Sequence, residues 1–225
     1  MKVINNQLPN NQHIYLIGNG VIGKALAVSL ILQGKNVTIL RCSVDGMQAY
    51  KKIIEVETGE EILKAEVTIS ALSNYAQLDG IVLLTNKSFG NEQLADKLKD
   101  IAKNSPIVFL QNGLHVEDSF IDRGFANLYR CVLFATSQSV SETKVRFRLV
   151  AASPVGIISG STEVLQNIVD EISTAGFTFR TEENIQVIIW KKAITNCVFN
   201  SICPLLEIDN GVFYRNTAAL ELQKK

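Results

Sequence analysis

An α/β fold with a parallel sheet, followed by the beginning of an all-α domain, is what this 225-residue sequence predicts. Three observations carry the prediction. A short apolar run ends at glycine before a helical pattern, two further apolar runs are separated by a polar helical pattern, and α/β alternation gives way to one long helical stretch near residue 182.

Taken in order, the polar N-terminal arm (Lys2, Asn5, Asn6, Gln7, Asn10, Asn11, Gln12) lacks the apolar core of a signal peptide. "HIYLIG" (13–18) reads as a strand, the Ala/Leu/Val-rich stretch after it as a helix closing at Gly34, and "NVTIL" (36–40) as a second strand that stops at Arg41. Strand, helix and strand within about thirty residues are the footprint of a βαβ unit. "IIEVET" and "EILKAEVTIS" flank Gly59 with rough alternation and suggest an antiparallel excursion. "GIVLLT" (80–85) and "PIVFLQ" (106–111) then read as buried parallel strands on either side of the helical "NEQLADKLKDIAK". "LYRCVLF" and "VGIIS" are weaker strand candidates, and "STEVLQNIVDEISTAG" reads as a helix ending at Gly176. Thr181, with Glu182 and Glu183 behind it, reads as the cap of a last helix that runs to about Cys203, since Pro204 disfavours helical geometry in the residue before it. The domain boundary falls there, giving 1–182 and 183–225.

Composition narrows the function. The 47% hydrophobic content can build a core, and no run reaches transmembrane length. The 22 basic residues match the 22 acidic ones, so no net field recruits nucleic acid or an anionic membrane. Any bound anion must be met by local charges. Cys42, Cys131, Cys197 and Cys203 form no CxxC pair, and with only His13 and His115 beside them no zinc set emerges. Reduced core thiols in a cytoplasmic protein are the expectation.

"GNGVIG" (18–23) fits GxGxxG in its proper setting, after a strand and at the opening of a helix. Gly18 permits the tight turn, Gly20 lets a pyrophosphate approach the backbone, and Gly23 lets helix pack on strand. Asn19, Val21 and Ile22 supply backbone between them. This is a Rossmann-type dinucleotide-binding signature. Gly18, Gly23 and Lys24 also have GxxxxGK spacing, but Ala25 lacks the hydroxyl that would hold magnesium in a nucleotide-hydrolysing loop. A methyltransferase domain binding S-adenosylmethionine is the more serious rival. Arg41, followed by Ser43 at the end of the second strand, suits a 2′-phosphate and favours NADPH over NADH and over that rival. Two more strands run into Asn86 and Lys87 and into Asn112 and Gly113. Ligands of open α/β sheets bind outside the carboxyl ends of strands, so four strand ends are expected along one crevice.

"WKKAITNCVFN" (190–200) adds the chemistry. On a helix at about 100° per residue, Lys192, Asn196 and Asn200 fall within an arc of roughly 80°. Buried amides and an ammonium are costly unless paired, so the stripe meets either a polar partner helix or a ligand. Facing a nicotinamide crevice, it would supply a proton donor and fixed hydrogen-bond donors to a carbonyl that accepts a hydride.

Together "GNGVIG", the lysine of "LLTNKSFG", "QNGL" and above all "WKKAITNCVFNSI" resemble the ketopantoate reductase (2-dehydropantoate 2-reductase) family over residues 13–215. The resemblance implies reduction of 2-dehydropantoate to pantoate with NADPH, on the route to pantothenate and coenzyme A. It implies that Lys192 donates the proton, that Asn196 and Asn200 bind substrate oxygens, and that Asn112 touches cofactor and substrate. Lys87 would lie near the nicotinamide ribose and Arg41 would meet the 2′-phosphate. Members continue into a larger helical domain, so the chain, ending at Lys225 after "DNGVFYRN", is expected to be an incomplete reductase. Apolar surface near Val198, Phe199 and Leu205 would then favour a homodimer or aggregation. A related 2-oxo acid reductase, or an NADP-binding module without catalysis, are the alternatives.

Overall fold

The computed structural model describes residues 12–59 and 61–207. The chain opens as β1 (His13–Ile17), α1 (Val21–Leu32), β2 (Val37–Arg41), and the pair β3 (Tyr50–Glu57) and β4 (Ile62–Ala71). It continues as β5 (Gly80–Leu84), α2 (Asn91–Leu98), β6 (Ile107–Phe109), the single turn α3 (Asp118–Ile121) and β7 (Leu128–Cys131). The hairpin of β8 (Ala135–Ser139) and β9 (Lys144–Leu149) precedes β10 (Ser153–Ser159), α4 (Thr162–Ile172), β11 (Phe179–Thr181) and α5 (Ile185–Leu206).

The described strands form one mixed sheet in the order β11-β10-β7-β6-β5-β1-β2-β4-β3-β9-β8. β1 pairs in parallel with both β2 and β5, and β5, β6 and β7 continue in parallel. The chain leaves β1 toward β2 and comes back to its other side at β5. That reversal opens a crevice at the carboxyl ends of the strands. β3 runs antiparallel to β4, as the alternation of the sequence suggested.

β1 is apolar throughout because both of its faces are covered. Ile14 and Leu16 join the core formed with Leu26 and Leu30 of α1 and Leu165 and Ile168 of α4. Tyr15 and Ile17 join the opposite core with Leu94 and Leu98 of α2 and Phe120 of α3. On α4, Val164, Leu165, Ile168, Val169 and Ile172 make the buried stripe, and the Ser161 hydroxyl caps the helix by accepting the Val164 N–H at 3.3 Å.

Several expectations need correction. β8 has no apolar alternation to betray it, because it is an edge strand exposed over Thr136–Ser139; in β9 the buried Val145 and Phe147 alternate with exposed arginines. The helix expected to reach Gly176 stops at Ile172. Phe177 folds back instead, trading backbone hydrogen bonds with Thr174 and stacking between Phe147 and Phe179 at centroid distances of 4.6 and 5.0 Å. Thr181 is no cap, since it pairs with Val155 at the end of β11, and α5 begins at Ile185 after a turn in which Glu182 accepts the Asn184 N–H at 3.3 Å. α5 also passes through Pro204 to Leu206. A proline so near the end forfeits only one ladder bond, and Glu207 at φ 52° closes the helix.

All four thiols are free, but only Cys131 and Cys203 are buried; Cys42 is half-buried and Cys197 exposed, so the core reading fails for the last. Leu205 is exposed and Phe199 half-buried, whereas the side chains of Val198 and Asn200, the N-terminal arm through Asn11 and the "DNGVFYRN" segment beyond Ile208 lie outside the described residues. The chain divides into two compact units, Met1–Ile185 and Gln186–Lys225. No described helix is long and apolar enough to cross a membrane.

Lys24 shows why the glycine turn is not a nucleotide-hydrolysing loop. Its ammonium points to the β8–β9 turn and donates to the Glu142 carbonyl at 2.7 Å, and burial pulls its pKa below the usual lysine range. Lys24→Met keeps the stem while removing both this hydrogen bond and the desolvation of the charge. Its unfolding free energy in urea is expected to stay within about 1 kcal/mol of the parent; a larger loss would assign the bond a dominant role in holding the hairpin.

Candidate functional site

The crevice is built around the turn between β1 and α1. Gly18 has φ +118°, and a Cβ there would lie 2.7 Å from the Asn86 nitrogen and 2.9 Å from the Thr85 hydroxyl. A Cβ on Gly23 would collide with the Gly18 carbonyl oxygen and sit 2.8 Å from the same hydroxyl. Gly20 is the opposite case: a Cβ there would meet nothing within 4 Å. Gly18 and Gly23 are thus required by packing, whereas the space over Gly20 is open for a ligand.

Thr85 fixes this turn from the neighbouring strand. Its hydroxyl lies 3.1 Å from both the Ile17 and the Gly18 carbonyl oxygens, and its N–H donates to Ile17 at 2.9 Å. Lys24 N–H to Gly20 O is the first rung of α1, at 3.0 Å. The amides of Val21, Ile22 and Gly23 ahead of it have no intrahelical acceptor, Gly20 offers no capping side chain, and no acid stands in the first turn. Such a helix start suits a phosphate. The Asn19 Oδ1 in the same turn is buried and meets no hydrogen-bond donor among the described residues, so it can accept from a donor group of a ligand.

Beside the turn lies a cavity of about 550 Å³ that brings together Gly18 and Asn19 from the turn after β1, Arg41 and Ser43 from the end of β2 and the loop beyond it, and Asn86 and Lys87 from the segment after β5. Its ionisable lining is Arg41, Lys87, Lys97 and Cys42, with no carboxylate. Burial pushes the Cys42 thiol up to about 11, so at neutral pH it carries no charge to oppose an anion. The loop after Arg41 is held in place by Ser73, whose hydroxyl accepts the Gly46 N–H at 3.0 Å, and by Asn74, which donates to the Met47 carbonyl at 2.7 Å. Uncapped amides, an open face at Gly20 and a cationic rim fit a phosphate-bearing dinucleotide.

The expected residues therefore fall into three groups. Gly18, Asn19, Arg41 and Lys87 share the cavity, and Gly20, Val21, Ile22 and Gly23 form the adjoining helix start. Asn112 stands apart, exposed on the turn after β6. Lys192 and Asn196 are half-buried one turn apart on α5, in the second unit, and Asn200 continues their file along the same helix.

Two supports of the crevice escaped the sequence. Gln111 and Asn91, both buried, exchange amide hydrogen bonds at 2.8 Å; Gln111 also donates to Asn86 at 3.2 Å and Asn91 to the Val116 carbonyl at 2.7 Å. This network ties the ends of β5 and β6 to the start of α2. The second support is Arg130 on β7, almost wholly buried, which donates to the Gly113 carbonyl at 2.8 Å and faces Glu117 at 3.5 Å. It steadies the turn that carries Asn112. An amide ending a strand and an arginine inside an apolar run were the available signals. Burial lowers the Arg130 pKa and Glu117 opposes that shift. Glu117→Ala leaves the guanidinium buried without its counter-charge and is expected to cost about 3 kcal/mol in urea unfolding. Joint replacement with Arg130→Met should recover much of that loss; an unaffected single variant would refute the pairing.

The profile of the family described as "Ketopantoate reductase PanE/ApbA" matches residues 14–159. A 2-dehydropantoate 2-reductase of Pyrococcus horikoshii is 26% identical over 212 residues, covering 93% of this chain and 69% of that protein. Among solved structures, the 2-dehydropantoate 2-reductase of Geobacter metallireducens superposes with TM-score 0.76 at 20% identity, over 94% of this chain and 71% of the other. D-mandelate dehydrogenase, solved with NADH and anilino(oxo)acetate, superposes with TM-score 0.74 at 17% identity, over 94% and 70%. The matched region takes in the glycine turn, Arg41, Lys87 and Asn112, and on that ground the chain belongs to the ketopantoate reductase PanE/ApbA family of oxidoreductases.

Proposed function

We propose that this protein is an NADPH-dependent reductase of 2-dehydropantoate, forming pantoate for pantothenate and coenzyme A synthesis in the cytoplasm. Residues 1–182 serve as the cofactor domain and 183–225 as the start of the substrate and dimer domain. The observation that carries the cofactor part is the carboxylate-free cavity in which Arg41 faces the same space as the glycine turn. Family membership carries the substrate class.

In this reading the α1 amides and Gly20 hold the pyrophosphate, Arg41 meets the 2′-phosphate, and Lys87 and Asn112 line the nicotinamide end. NADPH, when bound, supplies a hydride to the 2-oxo carbon. Lys192 gives the proton that the carbonyl oxygen takes up as charge develops on it, and Asn196 and Asn200 hold the substrate oxygens. A proton donor and two amides at successive helical turns meet that need from one rigid element.

A second reading, reduction of another 2-oxo acid, is motivated by the fold shared with D-mandelate dehydrogenase. A panel of 2-oxo acids separates the two by kcat/KM. A third is a dinucleotide-binding module without catalysis, which would bind NADPH and turn over none of the panel.

The decisive experiment measures NADPH oxidation and NADPH binding on the same 225-residue chain. Lys192→Ala is expected to lower kcat by about 10²–10⁴-fold, the range for loss of a general acid, while the Kd for NADPH holds within about twofold. Unchanged turnover would remove Lys192 from the mechanism. Separately, the parent should favour NADPH over NADH, and Arg41→Ala should erase most of that preference; a parent that prefers NADH would overturn the reading of Arg41.

A further inference from the structure

The cavity holds a cation that neither the motif reading nor the proposed mechanism uses. Lys97 lies in the last turn of α2 and lines the same cavity as the β2 terminus. Its ammonium donates to the Cys42 carbonyl at 3.1 Å, within the Arg41–Cys42–Ser43 stretch, and has a weaker ionic contact with Asp45 at 3.7 Å. One hydrogen bond and one long contact leave donor capacity on an ammonium that has three N–H groups. Arg41 is positioned loosely as well, its guanidinium resting 3.9 Å from the Met47 sulfur. Arg41, Lys97 and Lys87 thus stand around one carboxylate-free space in a chain whose formal net charge is zero.

A lysine at a helix C-terminus has an ordinary use, since it complements the helix dipole, and here it also ties α2 to the loop after β2. That tether uses one N–H of the ammonium and leaves the cation beside the loop that, in the NADPH reading, receives the second ribose. We propose that Lys97 is a second ligand of the cofactor's 2′-phosphate and, with Arg41, sets the preference for the phosphorylated dinucleotide. The inference rests on the NADPH reading given above. The dianion draws the ammonium from Asp45, whose single, well-solvated charge competes poorly with a phosphate held by two cations. Because Lys97 comes from α2 and Arg41 from β2, cofactor binding would also clamp the helix to the strand end.

The test uses the full chain and two fragments, adenosine 2′,5′-bisphosphate and 5′-AMP, with affinities measured by calorimetry and stability by thermal unfolding. The parent should bind the bisphosphate more tightly, and a parent that does not would overturn both the NADPH reading and this inference. Given that preference, Lys97→Met, which keeps the aliphatic stem, should weaken the bisphosphate by about tenfold while 5′-AMP changes by less than about twofold. The salt dependence of bisphosphate binding should become shallower. Lys97→Arg should restore selectivity, and Lys97→Gln serves as the second neutral variant should Lys97→Met fail to fold. Equal weakening of both fragments would identify Lys97 as a tether only, and no weakening of either would exclude it from the site; each overturns the inference without touching Arg41 or the NADPH reading.

Discussion

The crevice depends on how closely the Gly18 turn lies against Thr85. A hydroxyl has one proton, and Thr85 places it between two consecutive carbonyls, so the backbone of the turn is held by a single side chain from the adjacent strand. That closeness is possible only with hydrogen atoms in place of Cβ at Gly18 and Gly23. Once the turn is pinned, the first amides of α1 point outward with nothing in the helix to accept them. Parallel pairing of β1 with β2 and β5 then delivers Arg41 and Lys87 to the same rim.

The parallel half of the fold was legible because its strands are buried on both faces and read as short apolar runs. β1, β2 and β5 fall within a residue of their expected bounds. β8 and β11 were invisible for the converse reason. Polar and exposed apart from Ala135 and the buried Phe179, they are strands because they extend an existing sheet, and that fact resides in their neighbours rather than in their own residues. The start of α5 was misplaced because Thr181–Glu183 has cap chemistry, yet the last β11 pairing claims Thr181 first. Tertiary pairing outranked a local signal.

The site shows the same division. Residues inside a motif, such as Gly18 to Gly23 and Arg41, could be placed at the crevice from spacing alone. Residues whose role is to hold another element could not. Gln111 and Asn91 lie twenty positions apart and matter because their amides meet in a buried place, and Arg130 matters because it reaches back to Gly113. The neutrality of the whole chain concealed a local imbalance, since the cavity gathers cations from three separate elements. Net charge averages away what the topology sorts.

The hydrogen bond from Lys24 to the Glu142 carbonyl spans 118 positions and begins in the first turn of α1, just after the uncapped amides. It is a distant contact added to a helix start that Gly18, Gly23 and Thr85 already hold. In a chain made from its N-terminus, the glycine turn emerges early, but the hairpin that braces its helix is synthesised more than a hundred residues later. Contacts of such sequence separation are slow to close, because the entropy of the intervening loop must be overcome first. The glycine turn thus comes early in synthesis, while one of the contacts of its helix waits for the β8–β9 hairpin.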